Sequence, residues 1–270
     1  MSRTVNPPWD PLLIHRSPAF APLRRSAAGL KGARFPCAAG LQRLIDDAQP
    51  RPCTRDGHVL RLVRTQTDPA EPYERRVFQS GELPVRTESW HDLFNVLAWI
   101  TFPLAKAALN ARHVRQMEGE APGRRGRERD ALTQFDEDGM IVLSSSPELL
   151  ALVRAFRWKD LFWSRRDELA RHSSFLVFGH ALYEKLLSPF VGVTGKAVMF
   201  EVAPPLLASP FEDQVAAADL AMGRMIDAGL LGAPAVLQPL PVLGIPGWCP
   251  QTAEEAFYSD VSYFRPGRRN

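Results

Sequence analysis

Six side chains able to hold a substrate, a proton or a metal fall within one apolar stretch, WHDLFNVLAWITFPLAKAALNARH, at residues 90–113. They are His91, Asp92, Asn95, Lys106, Asn110 and His113. At about 100° per residue all six project within roughly 100° of one another, on the same side of a helix as Trp99 and Phe102. Polar groups set among large aromatics must be satisfied by partners or by a ligand, so a site is expected on this side. Distance limits the reading. His91 and His113 lie about 33 Å apart along a straight helix, and they share a site only if Pro103 folds the segment into two arms. Within each arm the pairs that face each other are His91 with Asn95 and Asn110 with His113.

A second cluster lies further along. His180 and Glu184, in GHALYEKL, are four residues apart, so both can reach one metal ion or bond to each other. Their order is not that of a His-Glu-x-x-His zinc helix, and a third ligand must come from another element, with His91 or Asp92 the first candidates. Arg129, beside Asp130, can clamp a carboxylate or phosphate, or close an internal ion pair. The chemistry these residues suggest is general acid–base or metal-assisted. His91, Asp92, Asn95, His180 and Glu184 form the expected catalytic set, and Lys106, Asn110, His113 and Arg129 the expected substrate-holding set. The competing reading is that the same side chains tie helix ends to loops.

Other motifs exclude more than they suggest. GVTGK at residues 192–196 resembles a phosphate-binding loop, but Phe190 stands where glycine is required and Ala197 where Ser or Thr is required. Neither a Gly-x-Ser-x-Gly elbow nor a Gly-x-Gly-x-x-Gly fingerprint occurs. The acidic run Asp136, Glu137, Asp138, Gly139 is too short for an EF-hand loop and reads as a plain turn. Cys37, Cys53 and Cys249 are odd in number and far apart, which fits a reducing compartment and a cytoplasmic location. No cofactor is named by any motif.

With 45% hydrophobic and 23% charged residues, the chain has the composition of an ordinary folded domain. Arginine supplies 28 of the 33 basic residues, but the basic positions are scattered and the densest run, GRRGRERD, carries its own acids. Aromatics are not interleaved with them, so nucleic acid ranks below a small molecule or a protein as a partner. Residues 93–109 and 228–250 are apolar, but Asn95, Pro103 and Lys106 interrupt the first and five prolines the second. No membrane-spanning helix is expected.

The elements that must position these residues can be placed by periodicity. Residues 1–35 form a proline- and arginine-rich N-terminal arm, and residues 36–270 a single globular domain. Helices are expected over 41–48, 89–101 and 103–117 (or one helix bent at Pro103), 147–156, 159–171, 178–187 and 211–228, with Ser89 and Ser146 as caps. Strand-like alternation appears at 59–67 and 75–79, residues 198–202 read as a buried strand, and ALTQFDEDGMIVLSS reads as a β-hairpin. From Pro234 to Phe264 a proline-rich, mostly extended segment is expected to wrap the core rather than add to it. The fold class expected is helix-dominated α+β with a small antiparallel sheet.

The stretch at residues 90–113, together with RDALTQFDEDGMIV, FGHALYEKLLSPFVGVTGKA, PLPVLGIPGW and FYSDVSYFRP, resembles DUF3025. This is a bacterial family defined by sequence and named for its lack of known function. The resemblance spans roughly Tyr73 to Pro266. It implies a bacterial protein with one family-wide fold, and it brings no reaction, cofactor or catalytic residue. Two classes of function therefore stay open. One is an enzyme performing hydrolysis or group transfer on a small anionic substrate. The other is an interaction protein that uses its arm, its proline-rich wrap and Arg124, Arg125 and Arg127 to meet a partner.

Overall fold

A computed structural model of the protein describes residues 6–65, 72–120 and 125–267. The helices are α1 (Leu13–Arg16), α2 (Ala38–Asp47), α3 (Tyr73–Ser80), α4 (Trp90–Thr101), α5 (Pro103–Gly119), α6 (Arg127–Asp138), α7 (Pro147–Arg154), α8 (Arg166–His172), α9 (His180–Leu187), α10 (Pro204–Leu207) and α11 (Phe211–Asp227). The strands are β1 (Arg61–Arg64), β2 (Glu82–Val85), β3 (Gly139–Ser144), β4 (Ser173–Val177), β5 (Thr194–Glu201) and β6 (Gln238–Pro241).

The sequence of β3, GMIVLS, is buried at every position, and a strand of that kind needs cover on both faces. It lies inside a four-stranded sheet of order β4-β3-β5-β6, parallel to β5 and antiparallel to β4, with β6 antiparallel to β5. Alternation sends Met140 and Val142 to one face and Ile141 and Leu143 to the other. The first face packs on Phe94 and Leu97 of α4, Leu149 and Val153 of α7, and Leu182 and Tyr183 of α9. The second packs on Phe102, Leu109 of α5, Phe135 of α6, and Met222 and Ile226 of α11. A smaller parallel pair, β1 with β2, joins α3 over Val96 and Trp99. The result is a helix-dominated α+β fold.

The N-terminal arm supplies core side chains as well as covering the body. Ile14, Phe20 and Leu23 are almost fully buried, and Trp9 packs on both Phe35 and Trp90. The Trp90 indole N–H donates to the Pro7 carbonyl at 3.0 Å. The C-terminal segment wraps the body, but it runs through short 3-10 turns and β6 instead of staying extended, and it adds Tyr258, Tyr263 and Phe264 to the core.

Three local expectations are corrected. The expected hairpin at ALTQFDEDGMIVLSS is instead the end of helix α6 followed by β3. Ala131, Leu132 and Phe135 are buried together at helical spacing, a stripe that short-range alternation had disguised. The sheet is accordingly mixed, not antiparallel, since β3 and β5 run parallel. Residues 75–79 belong to helix α3, which buries Val77 and ends at Gly81 with φ at +69°. A Cβ at Gly81 would also sit 2.4 Å from the Val59 carbonyl oxygen, so glycine is required there twice over.

The feature that matters most for the site is the break between α4 and α5, where the axes turn by 111°. Pro103 opens α5 at its first position, where the missing N–H costs nothing. The freed amides of Leu104 and Ala105 donate to the Asp219 carboxylate on α11, at 3.0 and 2.7 Å. Among the described residues no single helix is long and apolar enough to cross a membrane. The α4–α5 pair reaches that length only across the bend.

Burial pushes the Asp219 carboxyl up to about 6. Its ordinary value is about 3.9, so the folded protein takes up a proton between these limits. The stability from this protonation is therefore complete below pH 4 and lost as pH rises through 6. Asp219→Ala should cost about 1–3 kcal/mol in urea denaturation at pH 7 by orphaning two amides, and a larger amount at pH 4. A cost that grows with pH would contradict this.

Candidate functional site

The bend carries the two arms of the polar segment to one cavity of about 320 Å³, whose lining includes His91, Asp92 and Asn95 from α4 and Lys106, Asn110 and His113 from α5. His180 from α9 and Asp136 and Glu137 from α6 complete its floor, and Tyr73, Glu74 and Arg86 line it from α3 and the loop after β2. Eight of the nine residues expected from sequence are thus at or beside one recess: the seven already named and Glu184, which reaches it through His91.

His91 and His180 meet head to head. Their Nε2 atoms are 3.0 Å apart, and the rings cross at 78°. Ser89 caps α4 by accepting the Asp92 amide, which fixes the turn that carries His91. His180 opens α9 directly after Gly179, where a Cβ would lie 2.3 Å from the Glu137 carbonyl oxygen. Only glycine lets α9 begin this close to the end of α6, and that closeness sets His180 beside two carboxylates. Its Nδ1 is 3.8 Å from Asp136 Oδ2 and its Nε2 is 3.7 Å from Glu137 Oε1.

Glu184 does not share a ligand with His180, as the four-residue spacing allowed. It turns to His91, with Oε2 at 3.1 Å from Nδ1, while Asn6 donates to its other oxygen at 2.6 Å. A carboxylate only accepts, so His91 Nδ1 carries the proton in this contact. In its neutral form His91 then presents a bare Nε2 to His180. Two ring nitrogens 3.0 Å apart need a proton or a cation between them.

A second cluster continues from Asp136. The Lys106 ammonium, almost fully buried, donates to Asp136 Oδ1 at 2.5 Å and to Asn95 Oδ1 at 2.9 Å, and it lies over the Trp99 ring at 5.5 Å. Asn95 in turn donates to the Tyr73 hydroxyl at 2.9 Å. Asp92 turns away from the histidines and accepts a two-pronged contact from the Arg86 guanidinium, at 2.9 and 2.7 Å, plus the Arg86 amide at 2.6 Å. Asn110 donates to the Glu74 carbonyl at 2.8 Å. Arg129 does not line the cavity and pairs with Glu120 at 2.6 Å, the internal ion pair that was its alternative. Of the arginines expected at an interaction surface, Arg124 lies outside the described residues, Arg125 is held by Asp130 and Thr133, and Arg127 is exposed.

Electrostatics separate the groups. The hydrogen bond to Glu184 holds the His91 pKa above the ordinary imidazole value, while burial drives His180 down to about 4. Burial also lowers His113 and, with the nearby Asp136 charge, raises Glu137. Asp136 is pushed up by its own burial, but Lys106 and His180 outweigh this and leave it below the ordinary carboxylate range. Five buried polar atoms among the described residues lack a hydrogen-bond partner, and four belong to residues lining this cavity: Trp99 Nε1, Asn110 Oδ1, His113 Nδ1 and His180 Nδ1. Each such atom carries a penalty of about 1–3 kcal/mol, and four of the five are gathered around this one recess.

Sequence reasoning missed Tyr73, Glu74 and Arg86, and it took Asp136 and Glu137 for a plain turn. Asp136, Glu137 and Asp138 are the last turn of α6, and they serve Lys106, His180 and Lys185 respectively. The signal available was the unused set of three acids directly before the apolar run GMIVL.

Replacing Lys106 by Met should destabilise the protein by about 1–3 kcal/mol in urea unfolding, because the part-buried Asp136 loses its countercharge. Adding Asp136→Asn should recover at least half of the loss. A Lys106→Met variant as stable as the wild type would show that the pair carries no structural weight.

Residues 60–268 match the family model described as Protein of unknown function (DUF3025). No curated protein and no solved structure matches the chain. The matched span takes in every cavity-lining residue named above and most of the sequence, and the chain belongs to the DUF3025 family.

Proposed function

We propose that this protein is an enzyme that activates water, or a substrate hydroxyl, at the His91–His180 pair for hydrolysis or group transfer on a small anionic substrate. The observation that carries the reading is the pair itself: two Nε2 atoms 3.0 Å apart on the wall of a polar cavity, with Glu184 behind one ring and Asp136 behind the other. A histidine poised at a cavity and oriented by a carboxylate is the usual arrangement for moving protons near neutral pH. Rigid elements carry both rings, so orientation is set before substrate arrives.

In the hydrolytic form of the reaction the attacking water gives its proton to the site. Its oxygen bonds to the electrophilic carbon or phosphorus, the bond to the leaving group breaks, and the leaving atom takes the proton back. Arg86, paired with Asp92 but with a side chain 59% exposed where it lines the cavity, is the cation that an anionic group of an entering substrate can share. Lys106 is committed to Asp136 and acts through it, by fixing the carboxylate beside His180. We read the compartment as the bacterial cytoplasm, in keeping with Cys37, Cys53 and Cys249 as free thiols.

The test is a panel of small chromogenic phosphate monoesters, phosphodiesters and carboxylate-bearing esters. At least one should be turned over, with kcat/KM falling about 10²–10⁴-fold in His180→Gln and in His91→Gln. The His172→Ala control, outside the cavity, should keep full rate. Turnover unchanged in both cavity variants, or none across the panel, would overturn the reading.

A further inference from the structure

The two facing imidazoles need one positive centre between them, either a shared proton or a cation. Glu184 holds the Nδ1 proton of His91, so its Nε2 lone pair aims at His180. His180 Nδ1 is buried, without a hydrogen-bond partner, and has the Asp136 carboxylate at 3.8 Å. If His180 also carries its proton there, two lone pairs face each other across 3.0 Å. Glu137 closes the triangle, with Oε1 3.7 Å from His180 Nε2 and one donor atom of each residue within 4.8 Å of the others.

We propose that His91 Nε2, His180 Nε2 and a Glu137 carboxylate oxygen bind one divalent first-row transition-metal ion, of which Zn²⁺ is the best match. The assignment rests on the reading of this cavity as a working site and names what activates the water there. An ion bound at 2.0–2.1 Å in tetrahedral geometry holds its ligand atoms about 3.3 Å apart, between the nitrogen–nitrogen and nitrogen–oxygen separations present. Two imidazoles and one carboxylate suit zinc and its neighbours. They do not suit calcium or magnesium, which demand oxygen ligands, and no thiolate is present to favour softer ions.

Independent features support a cation at this point. The cavity lining carries four carboxylates, from Glu74, Asp92, Asp136 and Glu137, against only two full cations, Arg86 and Lys106. Both cations are already paired, with Asp92 and Asp136. His91 donates its far nitrogen's proton to a carboxylate, the arrangement that fixes ring and tautomer in metal sites, and His180 has the Asp136 carboxylate 3.8 Å from its far nitrogen. The ligands come from the first turns of α4 and α9 and the last turn of α6, and the three side chains line the open cavity. Three protein ligands with one position open to water is the catalytic form of such a site, and the ion would bring a bound water near neutral pKa. It would also supply the positive charge that an anionic substrate needs in a recess otherwise rich in acids.

The experiment uses the full chain, stripped with a chelator and dialysed, then titrated with Co²⁺ and Zn²⁺ by visible absorption and calorimetry. One equivalent should bind with Kd on the order of 1 μM or tighter, and Co²⁺ should give the intense visible bands of low coordination. His91→Ala and His180→Ala should abolish the bands, and Glu184→Gln should weaken binding about 10–100-fold by releasing the His91 ring. His58→Ala and His172→Ala, outside the cavity, should bind as the wild type does. If the histidine variants fail to fold by circular dichroism, Glu137→Gln, at a half-exposed side chain, is read instead and should weaken binding at least tenfold. Absent binding in the wild type, or binding retained in the cavity variants, overturns the proposal. Turnover that depends on His91 and His180 without bound metal would also overturn it while leaving the enzymatic reading intact. Stoichiometric binding lost in the cavity variants, with no turnover across the substrate panel, would keep the metal and sink the enzyme.

Discussion

An ammonium taken out of water costs several kcal/mol unless a carboxylate and further acceptors meet it, and the Lys106 ammonium is only 3% exposed. The answer to that demand organises the middle of this protein. Asp136 at the end of α6 and Asn95 on α4 converge on the charge, and Asn95 then holds Tyr73 of α3. Asp136 also stands beside His180 at the start of α9. Four helices besides its own are therefore tied, directly or through one intermediary, to a single buried charge. None of this is possible on a straight helix, since Asn95 and Lys106 sit on opposite sides of the break at Pro103. Asp219 of α11 holds that break open by taking the two amides the turn sets free.

The cavity that results is unusual less for its size than for its unfinished bonding. Trp99, Asn110, His113 and His180 each leave a buried polar atom unpaired. Against a net stability of order ten kcal/mol, four such groups in one place are a substantial local cost. The acids also outnumber the free positive charges, and two imidazoles point their nitrogens at each other. A cation between the rings accounts for the last two facts together.

Much of this was legible in the sequence, and the reasons for the failures are specific. The polar stripe from His91 to His113 was visible because helix period and composition disagreed there, and the proline gave the only way to fold it. The long helices, the Ser89 and Ser146 caps and the central strand at Val198 followed from local periodicity. Helix α6 was lost to a hairpin because Asp-Gly after a short alternating run imitates a turn, and Glu137 was lost with it. Strand β4 was missed because its serines and His172 resemble the end of a helix. Arg86 and Tyr73 could not be found, since their roles depend on long-range contacts that no spacing encodes. The pairing of His91 with Glu184, in place of His180 with Glu184, is a tertiary fact of the same kind.

The central claim is that the two imidazoles and Glu137 share one positive centre. X-ray absorption at the zinc edge of the zinc-loaded full chain tests it most directly. The account predicts a first shell of nitrogen and oxygen alone at about 2.0–2.1 Å, with the multiple-scattering signature of two imidazole rings. A shell containing sulfur at about 2.3 Å, or one with no imidazole scattering, would contradict it.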